Sequence, residues 1–167
     1  DFSTMLSVLD THFTHCPFLL GDRPCLADFA LAGACKAHFV TDPVPLAWLG
    51  DYRTVVMEYT ARLFGDDDYT DTSWLPADAV PDTLDAVWRY LDATYFAFAR
   101  ANISASVAGE KYYEYDFGYG ATRARTQRRL NKARLHVQDE LHQLDHNSHS
   151  ELEEVFADTK ILEFYRD

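Results

Sequence analysis

A mostly α-helical fold is predicted from three features of the sequence. Apolar residues recur at three- and four-residue spacing, as in Phe2, Met5, Leu6, Leu9 and Phe13, along most of the chain. Proline and glycine clusters fall between these periodic runs. Only one stretch, beyond Gly109, changes to a period of two. The 167 residues, 47% hydrophobic and 14% aromatic, suffice to bury a core as one domain or as a domain with an appendage.

The first helix follows the Phe2 to Phe13 pattern and ends at Pro17. Gly21-Asp22 then turns the chain, and Pro24 fixes the backbone ahead of a helix whose start is over-specified. Cys25 stands at the N-cap position. Asp28, three residues on, can return its carboxylate to the cap's backbone N–H and places negative charge in the first turn. A thiol is a weaker acceptor than a hydroxyl, so either this cap contributes less or other groups satisfy the N–H donors. The helix is expected to run from Leu26 to about Val40, rich in alanine, with Gly33 permitting close approach at the centre of a bundle.

Asp42-Pro43-Val44-Pro45 is read as a break, after which Trp48, Tyr52, Val55, Val56, Tyr59 and Leu63 line one helical face. An acidic connection follows from Gly65 through Asp66, Asp67 and Asp68 to Pro81. Leu84, Val87, Trp88, Leu91, Tyr95 and Phe98 form the strongest amphipathic pattern. Tyr113, Tyr115 and Phe117 then alternate with Glu114 and Asp116, and Gly118-Tyr119-Gly120 supplies the turn of a short hairpin. Helical spacing returns in Leu130, Val137, Leu141 and Leu144, and a last short helix holds Leu152, Val155 and Phe156. Five or six helices and one β excursion are expected.

The run from Pro17 through Leu31, with its turn, proline, cap and Leu26-Ala27-Asp28-Phe29-Ala30-Leu31, resembles the buried helix start in the all-helical C-terminal domain of glutathione transferases. That family usually has Ser or Thr at the cap. Trp74-Leu75-Pro76, Pro81-Asp82-Thr83-Leu84, Ala101-Asn102 and Ala108-Gly109-Glu110-Lys111 are similar to an extended C-terminal region of some bacterial-type homologues. The resemblance implies a helical bundle core over 1–75, its first helix lying upstream. It implies a helical extension over 76–167, with a hairpin near 111–122, packed on the same domain. The family's thioredoxin-like, glutathione-binding domain is not legible, so the chain reads as a piece of something longer. Glutathione would enter only through such a domain in the parent protein.

Charge and cysteine content narrow the classes. A net charge of −12 disfavours nucleic acid binding by the whole surface and suits solubility or contact with a basic partner. Cys16, Cys25 and Cys35 are odd in number and unlike a disulfide framework, which favours a reducing intracellular compartment. No apolar run approaches the roughly 18–20 residues of a membrane span.

Six of fifteen basic residues, Arg123, Arg125, Arg128, Arg129, Lys132 and Arg134, fall within twelve positions. Arg125, Arg128, Arg129 and Lys132 are placed on one broad helical face. They form either an anion or partner contact, with acidic protein the first choice, or a solvated face paired with nearby carboxylates.

Other clusters read more plainly as structure. His142, His146 and His149 lack the ligand number and the glutamate of a zinc site, and His12, His15 and Cys16 lack a fourth ligand. From Asp66, the positions where a calcium loop needs glycine and glutamate hold Asp71 and Ala77. Asn102-Ile103-Ser104 is a formal glycosylation sequon at the end of a helical pattern, without secretory context, and reads as chance. Cys25 has the best claim to a depressed thiol pKa, from its place at a helix N-terminus. The tyrosines at 112, 113, 115 and 119 suit hairpin packing, an apolar pocket or a protein contact.

No catalytic, cofactor-binding or metal-ligating residue is assigned; Cys25 and Asp28 are assigned as a structural cap. Two functions follow from the resemblance. One is a non-catalytic interaction or assembly module, with a protein partner or a further domain completing it, as a homo- or hetero-oligomer. The other is the helical half of a glutathione transferase that conjugates glutathione to apolar electrophiles. An exposed apolar patch carrying Phe2, Met5, Leu9 and Trp48 is expected where the partner element would lie.

Overall fold

The computed structural model describes residues 2–65, 68–76, 79–118 and 120–166. Contacts divide the chain into two compact units, Asp1–Val87 and Trp88–Asp167. The mostly helical architecture carries one two-stranded antiparallel sheet among the described residues.

In the first unit, α1 (Phe2–His15) and α2 (Leu26–Cys35) both pack against α4 (Arg53–Phe64). Phe18, Ala32, Tyr59 and Leu63 form one core cluster; Leu6, Leu49 and Val56 form a second. The helical run continues past α2 to Val40 but widens into a π-turn over Lys36–Val40. A methyl group added at Gly33 would meet nothing within 4 Å, so this glycine mediates no close helix approach.

The prolines at 43 and 45 start a helix instead of breaking one. α3 (Pro43–Trp48) has Asp42 as its N-cap, whose carboxylate accepts the Val44 N–H at 3.0 Å. Proline costs little in a first turn, where the backbone N–H has no intrahelical acceptor. A 3₁₀ turn at Gly50–Tyr52 then separates α3 from α4, which disrupts the single face expected from Trp48 to Leu63. Val56, Tyr59 and Leu63 are buried, whereas Trp48 is 67% exposed.

The expected apolar patch therefore divides. Phe2 and Met5 pack around Leu6, Leu49 and Val56, Phe2 stacks on Phe39 at 5.0 Å, and Leu9 lines an internal void; only Trp48 points outward.

From Leu84 the chain is helical to Val107, through α5 (Leu84–Leu91), a π-turn over Asp92–Phe96, and α6 (Ala97–Val107). The π-turn inserts an extra residue and rotates the apolar stripe. Phe96 is buried where period 3.6 placed Tyr95, and Tyr95 is exposed.

The hairpin pairs β1 (Tyr112–Tyr115) with β2 (Thr122–Arg125), Tyr112 opposite Arg125 and Tyr113 opposite Ala124. The strand thus extends beyond 122, and Arg125 lies on β2, not on the following helix α7 (Arg128–Leu141). Thr122-Arg123-Ala124-Arg125 has no apolar alternation to advertise a strand; its pairing with β1 makes it one.

α8 (His146–Val155) begins at an Asp145 cap whose carboxylate accepts the Ser148 N–H at 2.9 Å. α9 (Ile161–Arg166) was not anticipated. It is a single short turn-and-a-half that buries Ile161 and Phe164 with Phe96 and Ala99. Asp66, Asp67 and Tyr119, read in the acidic connection and the hairpin turn, lie outside the described residues.

Candidate functional site

Two constructions in the chain go beyond ordinary packing. The first surrounds Asp28, a fully buried carboxylate. The cap turn brings it beneath the loop that precedes α2. Its Oδ2 accepts the Cys25 N–H at 2.9 Å, and its Oδ1 accepts the Leu19 N–H and the Tyr59 hydroxyl, each at 2.9 Å. Three donors converge on an acceptor-only group, which is how a buried charge is tolerated. Cys25 is the N-cap, and its sulfur faces the Asp28 N–H in the reciprocal half of the box. The weak sulfur is thus supplemented: Asp28 ties the loop and α4 to the start of α2.

Beside this node lies the fully buried His12. Its Nε2 is 3.3 Å from the Phe18 carbonyl and its Nδ1 2.8 Å from the Thr83 hydroxyl. A carbonyl only accepts, so Nε2 carries the proton and Nδ1 accepts from Thr83. Burial pushes the His12 pKa down, which keeps the ring neutral. Gly21, at φ 112°, forms bridges with both Phe18 and Trp74, and an added Cβ would lie 3.0 Å from the Leu75 side chain. Two distant segments, Pro17–Pro24 and Trp74-Leu75, thereby meet; the Leu75 N–H donates to the Leu20 carbonyl at 2.8 Å.

Burial, followed by the Asp28 carboxylate, raises the Cys25 thiol pKa, and burial raises those of Cys16 and Cys35. The helix N-terminus does not lower the Cys25 pKa, because burial and then the adjacent Asp28 side chain push it up. Burial and Asp28 likewise push the Tyr59 phenol far above its ordinary value.

The second construction is the junction of hairpin and α7. Fully buried Asn102 of α6 clamps both sides of Gln127: its Oδ1 accepts the Gln127 N–H at 2.7 Å and its Nδ2 donates to the Gln127 carbonyl at 3.1 Å. The sequon asparagine is therefore a structural clamp, with both its amide oxygen and its amide nitrogen bonded to Gln127. Ala99, Asn102 and Ala105 share the buried side of α6 at three-residue spacing, a signal that pointed inward for Asn102.

The clamp fixes Arg123 and Arg125 of β2 relative to Arg128, Arg129 and Lys132 of α7. All five are exposed. The Arg123 guanidinium lies 4.4 Å from the centre of the Tyr112 ring and the Lys111 ammonium 5.5 Å from it. Arg134 belongs elsewhere: it is half-buried and donates to the Phe164 carbonyl at 3.3 Å.

The histidine-rich segment is divided by a turn, with His142 at the C-cap of α7 and His146 opening α8. Among the described residues no three His, Cys, Asp or Glu side chains gather as a metal would require. No helix in the described residues is long and apolar enough to cross a membrane.

Residues 3–66 match the family model for the C-terminal domain of glutathione S-transferase. This match covers α1 to α4 with the Asp28 node at its centre. No curated protein and no solved structure matches the chain.

Proposed function

We propose that the chain, whose residues 3–66 match the C-terminal domain of glutathione S-transferases, serves as a non-catalytic interaction module. The observation that carries this reading is the outer side of α2. Its only charged residue, Asp28, is buried, while Leu26 is 86% exposed and Phe29 48%, with Ala27, Ala30 and Ala34 exposed around them. A helix apolar on every side is ordinarily covered, and an uncovered one marks an interaction surface. The internal void beside it, bounded by Leu9, Leu31 and Tyr59, is only about 20 Å³. That is far below the roughly 300 Å³ from which small-molecule sites begin.

The family match supports a second reading, the helical half of a transferase, in which the same apolar side chains wall an electrophile's site. One pair of measurements separates the two. The purified chain is expected to show no glutathione conjugation above background with a standard electrophile. It is expected to associate in light scattering, with association lost in the double variant Leu26→Glu, Phe29→Glu. Turnover that the same variant abolishes would instead establish the transferase reading. A monomer in which neither activity nor association is found would remove the α2 face as the basis of either function.

A further inference from the structure

We propose that the hairpin and the first turns of α7 form a docking surface for an acidic polypeptide segment, distinct from the apolar face of α2. Between Phe117 and Gln138 the sequence carries six Lys or Arg residues and no Asp or Glu, in a chain of net charge −12. Among the described residues, none of Lys111, Arg123, Arg125, Arg128, Arg129 and Lys132 forms an ion pair. Even Glu114, directly opposite Arg123 across the hairpin, is left aside while that guanidinium lies over Tyr112.

The placement of Arg128 and Arg129 runs against local stability. They occupy the opening turn of a 14-residue helix, which has no acidic residue in that turn and no side-chain cap at Gln127. Positive charge at a helix N-terminus is opposed by the aligned peptide dipoles, and an anion there is favoured. A cationic strand, a cationic helix start and unneutralised backbone N–H groups are thus held in one fixed arrangement by the Asn102 clamp. The arrangement gains stability when a partner brings carboxylates to it.

The chemistry selects the partner. Four of these six cations are Arg, and the planar guanidinium holds a carboxylate by donating two parallel N–H bonds. Among the described residues Tyr112 is the aromatic ring in contact with these cations, and Arg123 lies over it where a base would stack. Residues 88–167 carry thirteen Asp or Glu outside this run, charges that oppose an extended, uniformly charged polyanion or an anionic bilayer. A short acidic segment avoids that repulsion.

The test is fluorescence anisotropy with a labelled poly-glutamate peptide on the full chain, alongside a single-stranded RNA oligomer of equal charge and phosphatidylserine vesicles. Binding of the peptide at low salt is expected to fade as the screening length falls from about 10 Å at 0.1 M to about 3 Å at 1 M salt. The double variant Arg128→Glu, Arg129→Glu is expected to lose at least about tenfold in affinity while keeping or raising its thermal midpoint, since acidic residues suit that helix end. The Arg128→Gln, Arg129→Gln pair, which introduces no repulsion, should lose affinity in the same direction. Absence of peptide binding, unchanged binding in both variants, or tighter binding of RNA or vesicles would overturn the proposal. Lost affinity with a lowered thermal midpoint in both pairs would also overturn it, by making these arginines structural.

Discussion

Asp28 is buried because three donors meet it, and two of these come from residues whose role no local pattern reveals: the Leu19 N–H and the Tyr59 hydroxyl. The cap itself was legible, since Cys25 and Asp28 stand at fixed spacing on one turn. What the thiol lacks as an acceptor, a hydroxyl would supply. Cys25→Ser is therefore expected to stabilise the protein by about 0.5–1 kcal/mol in denaturant titration, the usual range for an improved N-cap. His12 gives a second test. Burial lowers its pKa, so the folded state binds fewer protons than the unfolded chain, whose histidine titrates near 6.5. Stability should then be level above about pH 7 and fall as the pH drops through about 6.5, where the unfolded state takes up the proton. The pH slope of the unfolding free energy between about pH 7 and 5 should be shallower in His12→Gln, and an equal slope would show that His12 is not the group responsible.

The elements were legible to different degrees. Helices with a strong apolar stripe announced themselves, whereas those set by long-range contacts did not. β2 is a strand because β1 pairs with it, and α9 is ordered because Ile161 and Phe164 complete the cluster around Phe96. The π-turn at Asp92–Phe96 explains why the stripe along α5 and α6 slips out of period. Here Asp92 accepts from the Arg100 guanidinium at 2.8 Å and from the Lys160 N–H at 2.9 Å, linking the π-turn to the approach to α9. Burial opposes its charge, but those donors outweigh it and hold the carboxyl below its ordinary pKa. Asn102 does comparable work at the hairpin–helix junction. Asn102→Ala would strand the Gln127 N–H and carbonyl, at a cost of about 1–3 kcal/mol. Amide exchange should accelerate most in β2 and the first turn of α7; uniform acceleration along the chain would mean that the clamp is not local.

For the molecule as a whole, the charge distribution and the exposed apolar side chains matter more than any one contact. Leu26→Glu, Phe29→Glu should leave the thermal midpoint close to that of the parent chain, because exposed substitutions usually stay within about 0.5 kcal/mol. A large drop would mean that these side chains are buried in the folded monomer. The sequence alone determined the helical class, the capped α2, the hairpin and the kinship of its first part, because each rests on residues a few positions apart. It also marked the basic segment, since charge density is a property of the chain. Tertiary structure decided that Arg125 belongs to a strand, that Asn102 is a clamp, that Cys25 is not activated and that the outer side of α2 is uncovered. The strand and the clamp depend on partners 13 and 25 positions away, and the state of Cys25 and of the α2 surface depends on burial, none of which has a signature in local spacing.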